Sequence, residues 1–70
     1  MSRKAVTGKR LEKIIAARGW RKIAERGELR VYIHPDDSKV RVLFRASSWL
    51  LAEAEQRRLV ELFGLTDADL

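Results

Sequence analysis

His34 is the one side chain in this sequence with an ordinary titration near neutral pH, and so the one candidate catalytic base. It stands before Pro35 at the end of an alternating run, where a lone histidine more often serves structure than catalysis. Arg30 and Tyr32 precede it at every second position, and Lys39, Arg41, Leu43 and Arg45 resume the alternation after a turn. A separate cationic group, Lys9, Arg10 and Lys13, lies upstream. Cations neutralise phosphates and release counterions, and a tyrosine ring stacks on an unpaired base. The mixture therefore suits RNA or single-stranded DNA better than base readout in a duplex groove. The same residue types are also ordinary on a solvated strand face, and Leu43 among them suits a protein contact.

Other chemistries find no residues to carry them. No Ser-His-Asp arrangement, glycine-rich phosphate loop or paired-carboxylate site can be read from the sequence. With no cysteine and one histidine, thiolate zinc sites and two-His metal motifs are excluded, so no metal and no cofactor is expected. Glu53, Glu55 and Glu61 share their segment with Arg57 and Arg58, where ion pairing along a helix is the ordinary explanation.

Charge is unevenly spread. The 70 residues carry a net +5, but residues 1–30 hold ten Lys and Arg against three acids, whereas residues 51–70 hold two against five. A basic first half joined to an acidic end points to a polyanion partner. A chain this short buries only about 60% of its unfolded surface, so a covering partner, or a homodimer, would add to a small core. The Arg-rich, Asn-free composition fits a thermophilic or GC-rich source. No apolar run reaches the roughly 18 residues of a membrane span, and no signal-peptide core follows Met1. A cytoplasmic protein without membrane contact is expected.

The elements that must position these residues follow from hydrophobic period. Thr7 is an N-cap for a helix with Leu11, Ile14 and Ile15 on its inner side and Lys9, Arg10 and Lys13 on its solvent side. Gly19 stops it in a left-handed conformation, with Trp20 placed to close over Ile15. From Trp20 the period becomes two. A weak strand around Ile23 ends at the Gly27 turn, and two stronger strands flank the turn Pro35-Asp36-Asp37-Ser38. Their expected buried face is Leu29, Val31, Ile33, Val40, Val42 and Phe44; the other face then shows Arg30, Tyr32, His34, Lys39, Arg41, Leu43 and Arg45. Ser47 and Ser48 are N-cap candidates for a last helix that begins at Trp49 and carries Ala52, Leu59, Val60 and Phe63. Gly64 ends it, with Leu65 closing over Val60, and residues 66–69 could cap one further turn. The result is one α+β domain over residues 1–70, an αβββα two-layer unit with an antiparallel three-stranded sheet, both helices on one face, and a flexible N-terminus over residues 1–6.

In order and spacing these pieces resemble the HicA-type toxins of bacterial toxin-antitoxin pairs. The opening Thr7-Gly8-Lys9-Arg10-Leu11, then Gly19-Trp20, Gly27, Val31-Tyr32 and His34-Pro35-Asp36, is similar to the family's helix, Gly-Trp, glycine turn and second strand. Arg58-Leu59-Val60 through Phe63-Gly64-Leu65-Thr66, followed by Asp67 and Asp69, is similar to its last helix and tail. The resemblance implies a double-stranded-RNA-binding-like fold, RNA as target and a HicB-type antitoxin as partner. It also implies mRNA cleavage by a histidine in a Gly-Ser-His-His stretch, but this chain reads Gly27-Glu28-Leu29-Arg30 there. Leu29 cannot move a proton, and Glu28 sets negative charge where phosphate would lie. The family's proline-containing stretch after the third strand is replaced by Leu43-Phe44-Arg45-Ala46.

Three readings follow. The leading one is a HicA-like RNA-binding protein that has lost or relocated the ribonuclease function, with Arg30, Lys39, Arg41 and Arg45 on phosphates, Tyr32 stacking, and Lys9, Arg10 and Lys13 extending the field. The second is a divergent mRNA interferase that uses His34. The third is a protein-interaction module without a nucleic-acid role.

Overall fold

The computed structural model describes residues 4–70. In chain order they form α1 (Gly8–Ala17), β1 (Arg21–Arg26), β2 (Leu29–Ile33), β3 (Arg41–Arg45), α2 (Glu53–Phe63) and a closing 3₁₀ turn (Asp67–Asp69). The strands make one antiparallel sheet in the order β1-β2-β3. Leu11 and Ile15 of α1 and Leu59, Val60 and Phe63 of α2 share one buried cluster with Tyr32, Val42 and Phe44. Both helices therefore cover the same side of the sheet, and the fold is the expected αβββα.

Each helix forms and stops for a local reason. The Thr7 hydroxyl accepts the Arg10 N–H at 3.0 Å, satisfying one of the orphan donors of the first turn of α1. At the other end Gly19 takes φ 95°, and the Trp20 and Gly19 N–H groups donate to the carbonyls of Ile15 and Ala16. That is the double bond of a Schellman stop, and Trp20 comes to rest in the same core cluster as Ile15. Gly64 repeats the device at φ 66°, with Leu65 donating to Val60. The start of α2 differs from expectation. Its N-cap is Ala52 without a side-chain hydrogen bond, and Glu53 and Glu55 supply the favourable negative charge of the first turn. Ser47 is buried and held by α1, so neither it nor Ser48 caps the helix, while Ala52 and Trp49 lie outside it and exposed.

Gly8 permits a close approach. A methyl group there would lie 2.2 Å from the Arg45 carbonyl oxygen and 2.6 Å from the Ser47 nitrogen, so the start of α1 rests on the backbone that leaves β3. The Lys9 N–H donates to the Ser47 carbonyl, and Leu51 donates to Val6. Gln56, the only glutamine in the sequence, completes this seam from α2: its buried amide accepts the Val6 N–H at 3.1 Å and donates to the Lys4 carbonyl at 2.5 Å. Val6 is thus buried in the core, and of the stretch expected to be flexible residues 1–3 lie outside the described residues.

The face assignment of β2 is reversed. Ile33 pairs with Arg41, Tyr32 with Val42, Val31 with Leu43, Arg30 with Phe44 and Leu29 with Arg45. Residues opposite one another in an antiparallel pair share a face, so even-numbered residues of β2 join the core side with Val42 and Phe44. The turn enforces this: His34 donates its N–H to the Val40 carbonyl, enclosing five residues and preserving even-with-even pairing. Leu29, Val31 and Ile33 consequently share the outer side with Arg41, Leu43 and Arg45, where Leu29 is exposed and Val31 half-buried, while Ile33, as expected, is buried at 6% exposure. In β1 the register shifts between Lys22 and Ala24, a bulge that leaves Ile23 half exposed.

Candidate nucleic-acid interface

Turning β2 over takes two residues out of the expected RNA-binding surface. Tyr32 is 4% exposed, its ring lies 5.9 Å from that of Phe44, and its hydroxyl donates to Glu12 Oε2 of α1 at 2.6 Å. It cannot stack on a base. Burial, followed by the Glu12 hydrogen bond and charge, pushes its pKa up to about 12. Arg30 is spent in the same cluster. Its Nε donates to Glu12 Oε2 at 3.2 Å, one terminal nitrogen donates to the Gly27 carbonyl at 2.5 Å, and the other lies 3.6 Å from Glu25. Glu25 is hydrogen-bonded by Lys22 and sits in the field of Arg30, and the two together hold its carboxyl below the usual range.

His34 is separated from the outward cations. It pairs with Val40 on the core side, its Nδ1 accepts the Asp36 N–H at 2.9 Å, and its ring stands edge-on to Trp20 at 5.0 Å. One nitrogen thus shapes the turn. Arg41 and Arg45 lie on the opposite face of the sheet, and Lys39 is exposed in the turn between β2 and β3. Arg45 faces Glu28 at 3.4 Å, whereas Arg41 and Lys39 have no carboxylate partner among the described residues. The outer face is more apolar than the pattern implied: Ile23, Leu29 and Leu43 are 46%, 37% and 56% exposed, and Arg21, Arg26, Arg41 and Arg45 surround them.

Lys9, Arg10 and Lys13 fall where the helical period put them, exposed on α1. Glu12, the only acid of that helix, turns inward to Tyr32 and Arg30. Among the described residues, none of the three cations has a carboxylate within ion-pair distance, which leaves an uncompensated positive strip on the helix layer. An open groove of about 380 Å³ runs beside it, lined by Arg10, Lys13, Ile14, Ala17, Arg18, Ala68 and Asp69. Arg18 and Asp69 form an ion pair across it, and that contact, with the Thr66 N–H, holds the Asp69 carboxyl below its usual range.

The strip has a neighbour that period alone placed elsewhere. Trp49 is 78% exposed in the segment between β3 and α2, and its flanks are tied to the start of α1: Ser47 to Lys9, Leu50 to Thr7, and Leu51 to Val6. The helix expected to begin at Trp49 begins at Glu53 instead, which leaves the indole in the preceding segment. The available signal was the pair Ala52-Glu53, a better helix start than Ser48-Trp49 because the acids begin there. Among the described residues no cluster of three or more His, Asp or Glu could hold a metal ion, and no helix is long and apolar enough to cross a membrane. No protein-family model, curated protein or solved structure matches this chain.

Proposed function

We propose that this protein binds RNA through the outer surface of α1, as a HicA-like module without the family's ribonuclease chemistry. The supporting observation is the uncompensated strip Lys9, Arg10 and Lys13, whose one helical acid is drawn inward by Tyr32 and Arg30. The residue at the family's histidine position is Leu29, which moves no proton, and His34 is occupied in its turn on the other side of the sheet from Arg41. Phosphate contacts must release counterions, so affinity for a labelled RNA falls as salt rises from about 50 to about 200 mM. The triple variant Lys9→Ala, Arg10→Ala, Lys13→Ala binds about ten-fold more weakly, and its log-log salt slope is shallower by about 2. A salt-independent affinity, or a triple variant that binds like the native chain, removes the proposal.

A second reading is favoured by the outer sheet face. Exposed Ile23, Leu29 and Leu43 inside four arginines fit a protein partner that is apolar at its centre and acidic at its rim, the chemistry a HicB-type antitoxin would have to offer. Co-expression with the product of the neighbouring gene checks it. A stable complex that Leu43→Glu disrupts supports this reading, and failure of the two chains to co-elute counts against it.

A further inference from the structure

We infer that Trp49 is a base-stacking residue and that the preferred ligand is RNA with unpaired bases; this rests on the RNA-binding reading above. Single apolar side chains on a surface are common, so exposure alone decides nothing. Two further observations separate Trp49 from that background.

The first is that its backbone is held. Ser47 is buried and accepts the Lys9 N–H at 2.9 Å, Leu51 donates to the Val6 carbonyl at 2.9 Å and packs against the core, and the Ser47 hydroxyl donates to the Trp49 carbonyl at 3.5 Å. The segment is anchored on both sides of the indole, so an exposed ring is presented from a fixed main chain. A main chain held in this way does not have to be ordered when a ligand covers the ring.

The second is what the anchoring brings alongside. Between the Ser47–Lys9 and Leu50–Thr7 pairings, Ser48 and Trp49 together oppose the single residue Gly8, at the end of α1 where the cationic strip begins. Lys9 and Lys13 follow one another along the helix with a rise of about 6 Å. Sequence-tolerant recognition of single strands combines a cationic track for the backbone with an aromatic platform for a base, and here the backbone carrying an exposed indole runs along the start of the helix that carries the cations. Tyr32, which the alternation had offered as the platform, is buried on the far side of α1 from solvent. A paired base offers no free face, so the indole adds affinity only for unpaired RNA.

The experiment measures binding of the full chain to a short labelled oligouridine and to a duplex of the same length at about 50 mM salt. Trp49→Ala weakens oligouridine binding about ten-fold, Trp49→Phe restores most of the loss, and duplex binding stays within two-fold of native. With the indole already 78% exposed, both variants melt like the native protein, so lost affinity is not lost fold. Salt-dependent oligouridine binding that Trp49→Ala leaves within two-fold overturns the stacking role while the RNA-binding reading stands. If the native chain binds neither RNA, both fall.

Discussion

Gly8→Ala lowers the stability of this domain by about 3 kcal/mol, the upper range for forcing an atom into a packed site. The backbone torsion is not the reason, because φ at Gly8 is not in the left-handed region. The reason is what the added methyl would meet: the Arg45 carbonyl oxygen at 2.2 Å, the Ser47 nitrogen at 2.6 Å and the Ala46 α-carbon at 3.0 Å. All three are main-chain atoms, so no side chain can swing aside, and relief requires α1 to lift from the end of β3. That movement would break the Lys9–Ser47 hydrogen bond and expose Ala46, now 1% accessible. A domain of this size has a total stability of roughly 4–10 kcal/mol, so a large share is lost. The urea midpoint reads the effect with an unchanged slope. A midpoint equal to that of the native chain would mean that α1 does not rest on this backbone.

The second large effect comes from raising pH. Tyr32 titrates at about 12 in the folded chain against 10.0 ordinarily. The unfolded chain therefore releases this proton first. Stabilisation by the neutral phenol is complete below pH 10 and drains away as pH climbs through the folded value, about 3 kcal/mol in all. Tyr32 is the only tyrosine, so tyrosinate absorbance reports this one site. The expected midpoint is near 12 in native conditions and returns to the ordinary value in denaturant. Tyr32→Phe removes the step and, by releasing Glu12 from its 2.6 Å partner, costs about 1 kcal/mol at neutral pH. A native titration at the ordinary value would place the phenol in water and dissolve the inward cluster on which the uncompensated α1 strip depends.

Local signals announced most of the fold. Thr7, Gly19 with Trp20, and Gly64 with Leu65 act within one helical turn, so their consequences could be read from neighbouring residues alone. The alternation in β3 was equally legible, because Val42 and Phe44 are bracketed by Arg41 and Arg45, with Leu43 the one apolar residue on the charged side. In β2 the same reasoning misled. Leu29, Val31 and Ile33 outweigh Arg30, Tyr32 and His34 in hydrophobicity, yet strand pairing sets them on the outer side, where only Ile33 stays buried, and seats Tyr32 beside Phe44. Average hydropathy could not foresee that Glu12, twenty residues away, would satisfy both the phenol and the guanidinium. Most of the candidate site was obscured for the same reason. The α1 cations followed from helical period, while Trp49 became visible only once the segment before α2 was seen to lie along residues 6–9.

Surface turns ordinarily accept insertions and deletions with little consequence. The five residues between His34 and Val40 are an exception, because their number decides which of two chemically different ribbons β2 presents to water. Removing one would exchange odd for even along the strand, driving Leu29 and Val31 inward and turning Arg30 and Tyr32 out. Glu12 would be left without partners and α1 would regain a negative charge beside Lys9 and Lys13. The turn is exposed and polar, yet its length acts as a selector between an arginine-and-tyrosine surface and an aliphatic one. A natural variant that differed there by a single residue would keep the same elements in the same order and offer its partners a different molecule.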